Sequence, residues 1–427
     1  VKSNESTLTK AVSKKRRLFG NPSRQLFLTL LKRVRLGNLL LVEEDGTEHS
    51  FGEPRHQTSV HATIVVRDPA AYGLVLGAGS LGAGEAFMKG LWESPDLLQT
   101  IRLIVLNMDV LRNMDQSGSL AGRLTGRVFH LLHRNTLHGA RDNIAAHYDL
   151  SNDFFKLFLD PTMAYSAAIF TPQTRTLEEA STNKFQHVCQ RLQLSPADHL
   201  LEIGTGWGGL ALHAARHFGC RVTTTTLSTA QAGHAREWIA REGLSERITV
   251  LEKDYRELDG QYDKLVSIEM IEAVGAAYYK DYFARVSDLL KPTGLALIQS
   301  ITISDQRYAA SLGDTDFIKR YIFPGGQLPS NAVIASHVAG ATDMQLIGLE
   351  DITLDYARTL HAWRDNFMAA LPEVRRLGFD ETFIRMWLYY LCYCEGGFME
   401  RVIHTAQFLL AKPQFRDLPV IQVEGRN

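Results

Sequence analysis

The 427-residue chain has only four cysteines, Cys189, Cys220, Cys392 and Cys394, and none forms a C-x-x-C pair. That excludes a disulfide framework, a zinc ribbon and a thioredoxin-type motif, and it points to a reducing, cytoplasmic compartment. Long apolar runs are missing too: no stretch approaches the roughly 18 residues that a membrane-spanning helix requires. Neither charge is in excess, since 46 basic residues meet 47 acidic ones. A nucleic-acid binder relying on bulk charge is thereby excluded. No apolar stretch with a small-residue cleavage site follows the first basic residues, so no secretory signal is expected. What is present, 45% hydrophobic and 22% charged residues, suits a packed globular protein of two domains.

The charge balance conceals an asymmetry. Residues 1–41 hold ten basic residues and one acid, Glu5, so the rest of the chain is acidic overall. Within that segment Leu26, Phe27, Leu30, Leu31 and Val34 recur at helical spacing. A basic amphipathic helix of this kind suits an anionic membrane surface. The plainer reading is a basic tail, residues 1–21, leading into a helix that buries Leu26, Leu30 and Leu31.

Residues 22–113 read as a small α+β domain, with strands at Asn38–Val42 and His61–Arg67 and a turn at Glu44-Asp45-Gly46. Gly77 to Gly84 matches G-x-G-x-x-G, but without the long βαβ unit and acid of a dinucleotide site, so it is read as a tight turn. A helix is expected over Asp96–Asn113, then a linker over 114–140 and a second domain over 141–427.

In the second domain strands and helices alternate from His199 to Ile301, which predicts a doubly wound parallel sheet with its ligand at the carboxyl ends of the strands. The first strand runs into Gly204-Thr205-Gly206-Trp207-Gly208, with Glu202 two residues before the first glycine. Glycines let backbone pass close under a ligand with no Cβ in the way. The G-x-G-x-G spacing suits the amino acid end of S-adenosylmethionine better than a pyrophosphate. The second strand ends in Thr225-Thr226-Leu227-Ser228, with Gln231 beyond it, not in the ribose-binding acid of a nicotinamide site. The third ends at Asp254-Tyr255, an acid beside an aromatic, suited to an adenine. The fourth ends at Glu269-Met270-Ile271-Glu272, which brings carboxylates to the catalytic edge.

These residues carry a resemblance. His147 to Phe155, Leu159-Asp160, Tyr165-Ser166, the glycine loop, Glu272-x-Val274-Gly275, Tyr321 to Gly326, Asp355-Tyr356 with Trp363, and Tyr389 to Phe398 occur in order. Together they resemble the cyclopropane-fatty-acyl-phospholipid synthase family, related to the mycolic acid cyclopropane synthases. The resemblance implies a class I, Rossmann-like S-adenosylmethionine-dependent methyltransferase domain behind a smaller N-terminal α+β lipid-docking domain. It further implies methylene transfer to the cis double bond of an unsaturated phospholipid acyl chain, with bicarbonate as proton acceptor. By matching position, Glu272 and Tyr356 would hold that anion, helped by the backbone at Ala167 and Ile301. Tyr165, Ser166, Gly204, Gly206, Thr226, Gln231 and Asp254 would contact the donor, and Cys394 would lie near the site. A homodimer attached to the inner face of the cytoplasmic membrane is implied as well.

Three departures stand out. Ala167 replaces a common cysteine, Ala273 a histidine beside the glutamate, and Gln299 a histidine that neighbours the bicarbonate. Glutamine donates a hydrogen bond but takes up no proton at neutral pH. The runner-up readings are a methyl- or methylene-branching fatty acyl methyltransferase and, from another class, an inactive lipid-binding scaffold. An aromatic lining for a developing cation is expected from Tyr321, Phe323, Tyr356, Tyr389 and Tyr390.

Overall fold

Alternation of buried Leu39 and Leu41 with less buried neighbours defines the first strand, β1 (Asn38–Val42). The computed structural model describes residues 22–52, 60–108, 151–313 and 315–417. The basic tail, the expected linker and His147 to Leu150 lie outside them. The chain forms two units, and the first combines residues up to Arg127 with the later segment Phe379–Glu400.

In the first unit β1, β2 (Glu48–Phe51), β3 (His61–Val66) and β4 (Trp92–Glu93) form a sheet in the order β2-β1-β3-β4. The turn expected at Glu44-Asp45-Gly46 is present, with Gly46 at φ 84°. It leads into β2, whose polar sequence EHSF gave no strand signal, and β3 then pairs parallel to β1. Helix Pro22–Leu31 turns Phe27, Leu30 and Leu31 inward, while Leu26 stays 48% exposed. Most of the apolar stripe therefore packs inside the protein. Arg24 at its start grips the buried Glu43 carboxylate with two bonds of 2.7 and 2.6 Å.

The glycine run is not a tight turn. It lies within helix Ala70–Met88, which breaks at Gly79 (φ 55°, ψ −130°). Alanine, leucine and methionine around the glycines favour helix, and one left-handed glycine supplies the bend. Trp92 donates its indole N–H to the Ala83 carbonyl at 2.9 Å and pins the second half. The described part of the next helix covers Leu97–Leu106, capped by the Asp96 side chain.

Helix Glu381–Met399, which the sequence reading gave to the second domain, belongs to the first unit. It packs on the two preceding helices. Gly396 lies so close to Ile101 that a Cβ there would meet its side chain at 2.8 Å. The Tyr389 ring centre is 5.7 Å from that of Phe87, Arg385 bonds Glu93 at 3.0 Å, and Arg102 bonds Glu400 at 2.6 Å.

The second unit is built on a seven-stranded sheet of β5 (His199–Ile203), β6 (Arg221–Thr225), β7 (Ile248–Leu251), β8 (Tyr262–Ile268), β9 (Leu290–Ile303), β10 (Gln345–Asp351) and β11 (Ile403–Ala411). Its order is β10-β11-β9-β8-β5-β6-β7. The five strands from β9 to β7 are parallel, and β11 is antiparallel to both its neighbours. Both faces of the central strands are covered: β5 and β8 bury Leu200 and Val266 in one core and Leu201, Ile203 and Leu265 in the other. This is the class I methyltransferase architecture.

Candidate active site

Strand order reverses between β5 and β8, where a doubly wound sheet leaves its ligand crevice. A cavity opens there, lined by residues drawn from 162–166, 202–210, 225–227, 253–256 and 268–274. The loop after β5 turns through Gly204 (φ 102°), Gly206 (φ 52°) and Gly208 (φ 100°) into helix Gly209–Phe218. Their functions differ. A Cβ on Gly206 would meet nothing within 4 Å, so its backbone faces open space, and Gly204 and Gly206 line the cavity. Gly208 does not line it; a Cβ there would stand 3.2 Å from Ala235 of the next helix, so this glycine serves helix packing.

Neighbouring segments are locked onto this loop. Trp207 donates its indole N–H to Asn152 at 2.8 Å, and its ring centre is 4.9 Å from that of Phe155. Asp160 accepts from the Thr162 N–H and the Ser181 hydroxyl, both at 2.9 Å, and so sets the turn leading to Tyr165 and Ser166. After β6, the Thr226 hydroxyl donates to Gln231 at 2.9 Å, and Ser228 caps helix Thr229–Arg241 by accepting from the Gln231 N–H. Thr226, Leu227 and Gln231 all face the cavity, as do Tyr165, Ser166, Glu202, Asp254 and Tyr255. Both Asp254 oxygens are taken by the Arg256 guanidinium at 2.7 Å, which fixes the carboxylate on the wall.

Sequence reasoning missed Lys184. It is buried under the cavity and donates to Ser166 at 2.6 Å. Burial pulls its pKa down to about 8, opposed by the charges of Glu269, Asp160 and Glu202. Glu202 is buried below the glycine loop, where desolvation pushes its pKa up to about 8 against the 2.6 Å bond from Thr224 and the charge of Lys184.

The catalytic edge differs from expectation. Of the groups assigned to a bicarbonate, the Tyr356 hydroxyl and the Ala167 N–H, with Gln299 beside them, close instead on the side chain of Glu269. Its Oε1 accepts from the Ala167 N–H at 2.9 Å and from Gln299 Nε2 at 2.8 Å, and its Oε2 accepts from the Tyr356 hydroxyl at 2.9 Å. Gln299 is oriented in turn by Gln407, which donates to its Oε1 at 3.0 Å. Glu272 sits apart from these donors. One of its oxygens accepts from the Ile301 N–H and the Ser300 hydroxyl, while the other, Oε2, is buried without a partner. Burial and the neighbouring Glu269 charge push Glu272 up to about 8. The residues present thus do not fit a bicarbonate held by Glu272, Tyr356, Ala167 and Ile301, because Glu269 has taken the Tyr356 and Ala167 donors and Glu272 the Ile301 N–H.

An aromatic wall flanks this edge. The Tyr165 ring centre lies 5.3 Å from that of Phe155, 5.2 Å from that of Trp363 and 6.4 Å from that of Phe323, while those of Tyr356 and Trp363 are 6.0 Å apart. Phe323 and Tyr356 are therefore part of it. Tyr321 packs on Phe317, and Tyr389, Tyr390 and Cys394 lie on helix Glu381–Met399 in the first unit. Helix Thr353–Ala369 clamps the strip from Ala167 to Phe170: Thr359 accepts from the Ala168 N–H and Asp355 from the Phe170 N–H, each at 3.0 Å.

Residues 135–408 match the family model described as mycolic acid cyclopropane synthetase. The chain is 36% identical over 382 residues to the tuberculostearic acid methyltransferase of Mycobacterium tuberculosis, covering 88% of each. It is 37% identical over 355 residues to the cyclopropane-fatty-acyl-phospholipid synthase of Escherichia coli K12, covering 83% of this chain and 89% of the relative. A mycolic acid cyclopropane synthase solved in complex with SAH and CTAB superposes with a TM-score of 0.60 at 32% identity, covering 64% of this chain and 98% of that one.

Proposed function

Because the chain belongs to the mycolic acid cyclopropane synthetase family, we propose that it transfers a methylene group from S-adenosylmethionine to the cis double bond of an unsaturated phospholipid acyl chain, leaving a cyclopropane ring. One observation carries this reading: the cavity joins a glycine cradle at one end to a carboxylate at the other, with an aromatic wall beside that carboxylate. When bound, S-adenosylmethionine supplies an electrophilic methyl group. The backbone at Gly204 and Gly206, with Thr226, Leu227, Gln231, Asp254 and Tyr255, holds the donor, and Ser166 and Tyr165 flank it. Glu202 supports the loop from below. An alkene is a weak nucleophile with no proton to lose first, so attack needs no base. The cation that develops needs electron-rich faces and a nearby anion, out of reach of water. Tyr165, Trp363, Tyr356 and Glu269 meet that need, and the buried Phe155 and Phe158 keep the wall dry. Glu272, held by Ile301, shapes the edge behind them.

A second reading, methyl or methylene branching, is favoured by the 88% coverage of a relative named for tuberculostearic acid. Incubation with monounsaturated vesicles and trideuteromethyl donor, followed by mass spectrometry of the released chains, separates the two. A gain of CD2 that resists hydrogenation supports ring closure. A product that takes up hydrogen supports methylene branching, and no transfer at all overturns both.

The acceptor lies in a membrane surface, and the first unit is the docking module on this reading. Exposed Lys32, Arg33 and Arg35 follow a helix whose Leu26 is also exposed, which supports attachment to anionic lipid. No helix among the described residues is long and apolar enough to cross a membrane. Sedimentation with anionic vesicles, lost at high salt, is the expected result; equal binding to neutral vesicles contradicts it. A homodimer at the cytoplasmic face completes the proposal, and gel filtration showing only a monomer removes that part.

A further inference from the structure

We propose that Glu269 is the proton acceptor of this reaction, a built-in carboxylate standing where a free bicarbonate was expected. The inference rests on the one-carbon transfer proposed above and adds a catalytic residue to it. Three donors from three separate segments converge on this side chain: the Ala167 N–H, the Gln299 amide and the Tyr356 hydroxyl. A carboxylate offers about four lone-pair positions, and these bonds fill three, leaving one on Oε2 for an incoming proton. Glu269 also lines the cavity, which Glu272 does not.

The backbone was shaped to place it. Glu269 has φ 50°, a left-handed conformation unusual for a residue with a side chain, and its N–H is tied to the Gln299 carbonyl at 2.8 Å. Strain of this kind persists where the surroundings over-determine it. The neighbours offer no competing base: Ala167 has no functional side chain and Gln299 stays neutral. Two adjacent carboxylates do not both ionise readily; burial raises both, and Glu272, facing the Glu269 charge as well, is pushed up to about 8. Burial raises the Glu269 carboxyl above its ordinary value, opposed by its three hydrogen bonds and the attraction of Lys184, which favour the charged form.

The step balances. The alkene π pair forms a bond to the methyl carbon, the carbon–sulfur pair leaves with sulfur as a neutral thioether, and a cation remains on the neighbouring carbon. Glu269 takes a proton from the added carbon, and that C–H pair closes the ring. Glu269 becomes a neutral acid and returns its proton to solvent after release.

The test compares wild type, Glu269→Gln and Glu269→Gly in buffer freed of carbon dioxide, with and without added bicarbonate. Glycine adopts φ 50° without strain, so the second variant keeps the fold. Wild type should be indifferent to bicarbonate. Both variants should lose about 100-fold or more, the usual worth of a positioned base, while binding the donor normally by calorimetry. Bicarbonate should restore part of the rate to Glu269→Gly, whose vacated donors can hold it, and none to Glu269→Gln. A wild-type rate that rises saturably with bicarbonate overturns the proposal, as does near-normal turnover of Glu269→Gln or absence of rescue in Glu269→Gly. Those results leave the one-carbon transfer intact, whereas a wild type that transfers nothing overturns both.

Discussion

At the scale of single residues, the edge carboxylate depends on how many donors it keeps. Tyr356→Phe removes one of three bonds to Glu269, and a hydrogen bond to a charged group is worth about 1.5–3 kcal/mol. A loss of roughly tenfold or more in kcat/KM is expected, with donor affinity unchanged by calorimetry. The pH profile carries the sign. Losing a donor to the charged form raises the Glu269 pKa further above its ordinary value, where burial already holds it against the attraction of Lys184. A base must be deprotonated to act, so the acid limb of the profile should move to higher pH. Lys184→Met should act differently: Ser166 loses its 2.6 Å donor and donor affinity falls, measurable as a raised Kd. The sequence announced the edge carboxylates from the end of the fourth parallel strand, but not which of them would collect the donors. Ala167, Gln299 and Tyr356 lie 102, 30 and 87 residues from Glu269 in sequence, so only the closed fold reveals the convergence.

Elements were legible where periodicity and punctuation agreed. The strand ending in the glycine loop was plain because an apolar run meets three left-handed glycines before a helix. Those glycines differ under substitution. Gly208→Ala combines φ 100° with a 3.2 Å approach to Ala235 and should lower Tm clearly. Gly206→Ala meets no neighbour and should cost about 1 kcal/mol, its main effect being weaker donor binding. Thermal shift with and without donor separates the two. Elsewhere the signals conflicted: the glycines of helix Ala70–Met88 resembled a turn, and polar β2 resembled a loop. Helix Gly209–Phe218 also carries an acid sensitivity. Burial, with His217 and Arg216 nearby, pulls His213 down to about 4, whereas an exposed histidine titrates near 6.5. The unfolded chain therefore takes up that proton first, and stability present above pH 6.5 is lost as pH falls toward 4. His213→Gln should flatten the decline of Tm over that interval.

For the whole molecule, the chain visits its first unit twice. Helix Glu381–Met399 completes a core begun by Ala70–Met88 and Leu97–Leu106, and the sequence reading missed this because no local pattern records which core a buried helix joins. Trp387 is 1% exposed within that unit, and Trp387→Ala should destabilise it by about 3–5 kcal/mol. Hydrogen exchange should then accelerate in helices Ala70–Met88 and Leu97–Leu106 more than in β5 and β8. The same return path orders events on the ribosome. After Leu106 has been made, another 274 residues precede Glu381, which at 5–20 residues per second is roughly 14–55 s of translation. Through that interval the first unit lacks a wall, while the parallel sheet of the second has already been synthesised up to β10. The first unit is thus completed only near the end of synthesis, just before β11 (Ile403–Ala411) closes the sheet of the second. A nascent chain stalled before Glu381 would carry all five parallel strands of the catalytic sheet while its first unit still stood open on one side.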